Sequence, residues 1–359
     1  MSNSTSSISV GVIGLGFIGA THVRAYQSAR AAGFPCVLGA VADRDARRLT
    51  GRVAAAGNID TGAGGEGERL FDPAEVRGYT SAQDLLGDER IGLVSICTHT
   101  DTHVDLAVAA LEAGKHVLVE KPVAISSAGV QRVADAARSS GRLCMPAMCM
   151  RFWPGWSWLK DRVRERTFGR VLSASFERLG AAPGWSAFYA DHARSGGALM
   201  DLHIHDADFV RFCFGEPAAV SSAGGPMHVT TIYRFLDDDA PRHVVAQGGQ
   251  DLAPGSDFRM RYTVAFERAT ADFDLARPSP LTLVQDGGKA DVALPGESGY
   301  ELQVRHLVTA IAQGRRNEDL VATIDDAVAV TRMLEAELES CTRGREVLLE
   351  GPRTRTPTV

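Results

Sequence analysis

The sequence predicts an α/β chain in two parts: an N-terminal doubly wound parallel sheet, then a C-terminal α+β domain on a mainly antiparallel open sheet. Three observations predict it. The first third alternates short β-branched runs with helical patterns, the sign of βαβ units. Beyond about residue 150, one strongly helical segment is followed by consecutive strand-like runs joined by Gly, Asp and Pro turns, the sign of antiparallel pairing. A length of 359 residues exceeds one ordinary core and suits two domains with a cleft between them.

The elements follow in order. Ile8 to Ile13, Val37 to Ala42, Leu93 to Cys97 and His116 to Val119 are the clearest strands of the first domain. Asp101 to Glu112 is a helix with an apolar face of Val104, Leu106, Ala107, Ala110 and Leu111, stopped by Gly114. The glycine-rich stretch from Gly57 to Gly67 has no periodic apolar residues and reads as a surface excursion. A helix from about Ser126 to Ser139 and a strand through Leu143 to Cys149 complete the unit, which places the domains at 1–145 and 146–359. In the second domain a helix is expected over Ser195 to Phe214. Strands follow at Ala218 to Ser222, His228 to Phe235, His243 to Gln247, Met260 to Phe266 and Ala271 to Leu275. Two late helices, about Gly299 to Ala312 and Thr323 to Cys341, are expected to cover one face of that sheet.

Composition narrows the function. With 45% hydrophobic and 23% charged residues the chain is globular, and a net charge of −6 gives no general attraction to nucleic acid or anionic membranes. No stretch approaches the apolar length of a membrane span, and Met1 to Ser9 is a polar, Ser-rich tail rather than a targeting signal. The six cysteines are scattered without CxxC spacing and mostly sit in apolar runs, so reduced, buried thiols in a cytoplasmic protein are expected. The sheet face left uncovered by helices predicts a homodimer or homotetramer.

The strongest local signal is Gly14-Leu15-Gly16-Phe17-Ile18-Gly19, after a strand and opening a helix. Gly14 permits the tight turn, Gly16 lets a pyrophosphate approach the backbone, and Gly19 lets helix pack on strand. The amides at the helix start, Phe17 and Ile18 among them, attract phosphate charge. This is the fingerprint of a Rossmann dinucleotide site. The second strand ends in Asp43, where a carboxylate can accept hydrogen bonds from the adenosine ribose, which favours NAD over NADP. Arg44, directly after it, can stack on adenine or pair with a 2′-phosphate, so NADP stays possible. Helix N-capping is an alternative role for Asp43.

Two constellations carry candidate chemistry. Glu120-Lys121-Pro122 follows strand HVLV, at the sheet edge where open α/β sheets bind ligands, and Pro122 restricts the backbone at Lys121. Taken alone, Glu-Lys is more often a surface pair. The second is Asp201-Leu-His203-Ile-His205-Asp206-Ala-Asp208. At helical spacing Asp201, His205 and Asp208 share a face and His203 points away. A metal-dependent hydrolase or lyase is the main rival reading of this ligand-rich stretch, although a helix splits the imidazoles of His-x-His apart. A dinucleotide-binding sensor is the second rival. No metal is expected.

Four blocks lie in the order found in one known family: GVIGLGFIGATH, VADRD, CTHTDTHVDLAVAALEAGKHVLVEKPVA and SGGALMDLHIHDADFVRFCFG. On them the chain resembles the glucose-fructose oxidoreductase / inositol dehydrogenase / rhizopine-catabolism family, Gfo/Idh/MocA, over nearly its whole length. The resemblance implies that Lys121, Asp201 and His205 form a catalytic triad facing the nicotinamide, with Glu120, Thr98 and His103 near the cofactor. Two departures stand out. Thr98-His99-Thr100 replaces the frequent Thr-Pro-Asn, which puts His99 at a nicotinamide contact, and His203 stands where the family often has glycine.

The chemistry fits the residue types. Oxidising a secondary alcohol needs a base for the hydroxyl proton while a hydride leaves carbon, and imidazole suits both directions near neutral pH. His205 is the expected base, Lys121 the donor to the substrate oxygen, and Asp201 the group that fixes the imidazole. The expected substrate is a sugar, a cyclitol or a similar polyhydroxy compound. Arg151, Trp185 and Tyr189 are substrate-side candidates. The cluster Trp153, Trp156 and Trp158 is expected to pack between domains rather than to bind a sugar ring, and His22 to pack against the cofactor loop.

Overall fold

The computed structural model describes residues 7–52, 69–184 and 187–349. The Gly57 to Gly67 excursion, Trp185 and most of the Ser-rich start lie outside the described residues. In chain order come β1 (Ile8–Ile13), α1 (Phe17–Ala31), β2 (Cys36–Ala42), β3 (Arg77–Tyr79), α2 (Ala82–Leu86), β4 (Leu93–Ile96), α3 (His103–Glu112), β5 (His116–Val119), α4 (Ser127–Ser140) and β6 (Cys144–Pro146). Next are α5 (Pro154–Arg164), β7 (Val171–Ala181), α6 (His192–Ser195), α7 (Ile204–Phe214), β8 (Ala219–Gly225), β9 (His228–Arg234) and β10 (His243–Leu252). The last are β11 (Arg259–Phe266), β12 (Ala269–Asp274), β13 (Leu281–Gln285), β14 (Gly288–Asp291), α8 (Gly299–Ala312), α9 (Ile324–Arg343) and β15 (Val347–Leu348).

The chain divides into two compact units whose segments interleave. Met1–Pro154, Pro183–Ser195 and Gly296–Thr331 form the first; Gly155–Ala182, Gly196–Pro295 and Arg332–Val359 form the second. The single boundary expected at 145/146 gives way to this division because the chain returns twice to pack on the first unit. Helix α8 is the clearest case. Its start is fixed by a capping box between Ser298 and Glu301. From there Glu301 accepts a hydrogen bond from Ser28 of α1 at 2.6 Å, and Tyr300 meets Trp153 edge-on at 5.8 Å. The expectation that both late helices cover the second sheet is corrected for α8, whose apolar stripe is spent on α1.

In the first unit six strands lie in the order β3-β2-β1-β4-β5-β6, and every pairing is parallel. The order reverses at β1 and β4, which makes their carboxyl ends the topological switch point. The central strands β4 and β5 are short, mostly Val, Ile and Leu runs buried at every position but His116, as a sheet covered on both faces requires.

The second unit has nine strands in the order β14-β13-β12-β11-β7-β10-β9-β8-β15. Its pairings are antiparallel apart from β7 with β10, which run parallel. Sequence reading missed β7, although its buried Ala174, Phe176 and Arg178 alternate with more exposed positions. The core of this unit is aromatic. Trp156 is fully enclosed and stands edge-on to Tyr262 at 5.0 Å, to Phe273 at 4.6 Å and to Phe209 at 6.3 Å. Truncating such a ring to alanine costs about 3–5 kcal/mol. The three tryptophans are therefore packing residues, but not one cluster: Trp153 packs in the first unit, Trp156 and Trp158 in the second.

The segment expected as one helix over Ser195 to Phe214 is helical from Gly197 onward but is not a uniform α-helix. Gly196 and Gly197 take φ of +75° and +65°, a region other residues rarely enter, and the Leu199 amide donates to the carbonyl of Pro226. A π-helical turn over Leu199–His203 then leads into α7. Its wider i→i+5 winding replaces the 100° spacing by which Asp201 and His205 were placed on one face.

Candidate active site

The cofactor side is built at the carboxyl ends of β1, β2, β4 and β5. Backbone bonds continue the ladder one residue past each strand: Gly14 to Ala42, Cys97 to Ile13 and Glu120 to Ile96, at 2.8–3.0 Å. The motif residues thus leave one edge of one sheet together. Gly14 has φ +87°. A Cβ on Gly19 would fall 1.8 Å from the Gly14 carbonyl oxygen, whereas one on Gly16 would meet nothing closer than 3.8 Å. The turn is closed underneath by Gly19 and open above at Gly16, and α1 begins at Phe17 with the free amides of Phe17 and Ile18 that any helix start presents. That is a fit for a pyrophosphate.

Asp43 is 9% exposed and faces this turn. Its Oδ2 accepts from the Leu15 amide at 2.8 Å and its Oδ1 from the Asp45 amide at 2.9 Å. The capping role considered for Asp43 belongs to Asp45, whose side chain accepts from the Arg47 amide at the start of a short 3-10 turn, Ala46–Thr50. That short turn stands where such a cap would have opened a helix. A cation does stand beside Asp43: Arg48 Nη1 is 3.3 Å from Oδ2. Arg44, the cation singled out in the sequence, lies next to Asp43 in the chain.

Beneath the edge lies a buried chain that sequence reading missed. Glu120 Oε1 meets His22 Nε2 at 2.9 Å, His22 Nδ1 meets Ser95 Oγ at 3.2 Å, and Ser95 Oγ meets the Tyr26 hydroxyl at 2.9 Å. Ser95 and His22 are fully enclosed. The Ser-His-Glu order has the layout of a nucleophile triad, but no substrate carbonyl reaches a serine with zero exposure. The hydrogen bonds tie elements together: Glu120 Oε2 also accepts the Lys121 amide at 3.1 Å. His22 packs below the strand ends rather than against the cofactor loop. The only trace in the sequence was its place three residues after Gly19.

His103 performs a similar task. Its Nδ1 faces the Pro122 carbonyl at 2.9 Å and its Nε2 the Thr98 carbonyl at 3.0 Å, so one ring bridges the loops after β4 and β5. Burial lowers its pKa, and the two carbonyls oppose that shift. The Lys121-Pro122 peptide is cis, and Lys121 itself is partly exposed. Thr98 Oγ1 lies 2.7 Å from Thr102 Oγ1.

The returning segment Pro183–Ser195 docks on the loop after β4. The Phe188 ring stacks on His99, centroids 4.4 Å apart and 5° from parallel, and Arg194 donates to Asp101 at 2.6 and 2.9 Å. Tyr189 stands edge-on to Phe188. Tyr189 is thereby brought to the loop that carries Thr98 and His99, through a Phe188 that no sequence signal marked. Burial lowers the His99 pKa. Arg151 is placed elsewhere: its enclosed guanidinium donates to Asp326 at 2.9 Å and to the Val321 carbonyl at 2.8 Å, a packing role in place of the substrate role expected.

In the second unit Asp201 Oδ2 accepts from Gln250 at 2.7 Å. His205 is 8% exposed, Asp208 is enclosed, and Asp206 holds Arg178 in a two-pronged buried pair at 2.9 and 3.0 Å. His203 turns to Glu337, 2.8 Å away. Asp206 and His203 are therefore committed to separate partners. Among the described residues no three His, Cys, Asp or Glu side chains come together as a metal site, and no helix is long and apolar enough to cross a membrane.

Comparison with known proteins decides the lineage. Residues 8–148 match the model of an oxidoreductase family with an NAD-binding Rossmann fold, and residues 156–277 match the GFO/IDH/MocA C-terminal domain. The chain belongs to the GFO/IDH/MocA oxidoreductases. It is 28% identical over 223 residues to the myo-inositol 2-dehydrogenase of Thermotoga maritima, covering 61% of this chain and spanning 59% of that relative's length. It is 26% identical over 289 residues to the scyllo-inositol 2-dehydrogenase (NAD(+)) of Bacillus subtilis, covering 76% of this chain and 82% of that protein. The GFO/IDH/MocA fold is shared with a levoglucosan dehydrogenase solved in complex with NADH, at a TM-score of 0.79 and 22% identity over 96% of this chain and 100% of that one.

Proposed function

We propose that this oxidoreductase moves a hydride between NAD and a secondary hydroxyl of a sugar, cyclitol or related polyol, with Lys121, Asp201 and His205 as its acid-base set. The observation that carries the reading is the position of Lys121: directly after β5, on the sheet edge that also bears the open glycine turn, with its amide held by the buried Glu120. The inositol dehydrogenases among its relatives favour a polyol.

Gly14, Gly16, Gly19 and the amides of Phe17 and Ile18 would hold the pyrophosphate, and Asp43 the adenosine ribose. When bound, the nicotinamide supplies the hydride acceptor in one direction and the donor in the other. The rest falls to this chain. His205 takes the hydroxyl proton as the alcohol is oxidised and returns it in the reverse reaction. The Lys121 ammonium donates to the same oxygen and stabilises its developing negative charge. Asp201 orients the imidazole, and Thr98, His99 and Tyr189 border the reacting ring and the substrate.

The test is a panel of inositols, aldoses, sugar acids and anhydrosugars, with NADH and NADPH formation followed side by side. Oxidation of a polyol with NAD preferred is the expected result; a protein that binds NADH yet turns over none of them contradicts the reading. We also propose a cytoplasmic homodimer or homotetramer joined through the open face of the second sheet. Ile232 and Leu172 stand on that sheet about half exposed, and light scattering of Ile232→Asp against the parent chain tests the contact.

A further inference from the structure

The segment that carries Asp201 and His205 is tied down by groups the proposed chemistry does not use. Gly248 and Gln250 lie two positions apart on β10 and so share a face. A Cβ on Gly248 would sit 2.6 Å from the Cβ of His203, so the π turn presses against the strand where only glycine leaves room. Gln250, 2% exposed, donates its amide to Asp201 Oδ2 at 2.7 Å.

His203 itself enters a buried polar network. Its Nε2 lies 2.8 Å from Glu337 Oε2 and 3.2 Å from the Tyr233 hydroxyl. Glu337 accepts from Tyr233 at 2.9 Å and from Thr231 at 2.9 Å. His203 and Glu337 have no exposure at all. An unpaired carboxylate in such a place costs several kcal/mol, and apolar side chains of the same volume would fill the space without that cost. What the polar set adds is direction: hydrogen bonds fix the angle of the turn as well as its position.

We infer that Gln250 is a positioning residue for Asp201, and that the His203–Glu337–Tyr233 network holds the π turn at the angle Gln250 needs. The inference rests on the proposed function, in which Asp201 orients the base His205. Gln250 holds the Oδ2 oxygen of Asp201 from β10; without that bond the carboxylate turns and the imidazole loses its alignment to the substrate hydroxyl.

The experiment compares the parent chain with Gln250→Met, similar in length but without the amide, and with Asp201→Ala. NAD is offered with myo-inositol, scyllo-inositol and levoglucosan in turn, and Gln250→Met is crystallised. The expected result is a kcat lowered roughly tenfold to a hundredfold, the scale of a misaligned reacting group, with NADH affinity and Tm unchanged and the Asp201 carboxylate rotated in the crystal. If Asp201→Ala loses turnover while Gln250→Met keeps the parent kcat, the inference falls and the site reading stands. If Asp201→Ala turns over like the parent, or if the parent acts on none of the three, the site reading suffers instead and the crystal alone decides: an unmoved Asp201 carboxylate overturns the positioning role. Gln250→Leu, apolar and without the donor, answers the same question should Gln250→Met not fold.

Discussion

At the scale of single residues, the proposal assigns separate duties to groups that titrate or donate, and each duty has its own signature. Replacing Lys121 or His205 by alanine is expected to lower turnover on the order of 10²–10⁴-fold, the span of one acid-base group, with NADH affinity by fluorescence titration little changed; near-parent turnover in both variants would remove them from the chemistry. Asp43 acts on selectivity. Its charge opposes a 2′-phosphate while its oxygens brace the Leu15 and Asp45 amides. Asp43→Asn keeps one of these two acceptors and deletes the charge, a repulsion of about 1–4 kcal/mol at contact distance. The ratio of kcat/KM for NADP to that for NAD should rise about tenfold or more, with Arg48 already standing 3.3 Å from the site of the lost charge. Residues of this kind were legible because motif and strand end coincide in the sequence. Gln250 and Phe188 were not, because each reaches its partner across tens of residues through a pairing that local periodicity does not encode.

Among the elements, β5 shows how burial sets a pH limit. The Leu143 amide donates to His116 Nδ1 at 3.0 Å, which requires a neutral ring, and burial lowers the His116 pKa to about 4. Unfolded, the same imidazole titrates near 6.5. As pH falls below about 6.5 the unfolded chain takes up a proton that the native state refuses until about 4, so stability declines across that window and levels off beneath it. Thermal melts of His116→Asn, whose carbonyl can replace Nδ1, should show a shallower loss of Tm over the same range; an identical acid limb would assign the loss to other groups. The parallel strands other than β3, and α8, were readable from apolar runs and periodicity, since both are local signals. The π turn was not: its sequence is a good α-helix pattern, and the glycine pair before it and the strand beneath it set the winding.

For the molecule as a whole, the interleaved units predict what a cut will do. A fragment ending at residue 145 lacks α8 and uncovers the face of α1 that Glu301 caps through Ser28. It is expected to melt well below the full chain and to bind NADH more weakly; a fragment as stable as the parent would show that the returning segments are ornaments. The two-part plan was legible from length and from the change in strand pattern. The interleaving was not, because it depends on where late helices find an apolar partner.

The same threading constrains how such a protein can be recombined. The backbone passes from one unit to the other after Pro154, Ala182, Ser195, Pro295 and Thr331, so a chimera that gave this substrate half a foreign nucleotide half would need five matched junctions instead of one. Exchange of whole modules by a single crossover is thereby disfavoured, and new specificities are more readily reached by point changes within an intact pair.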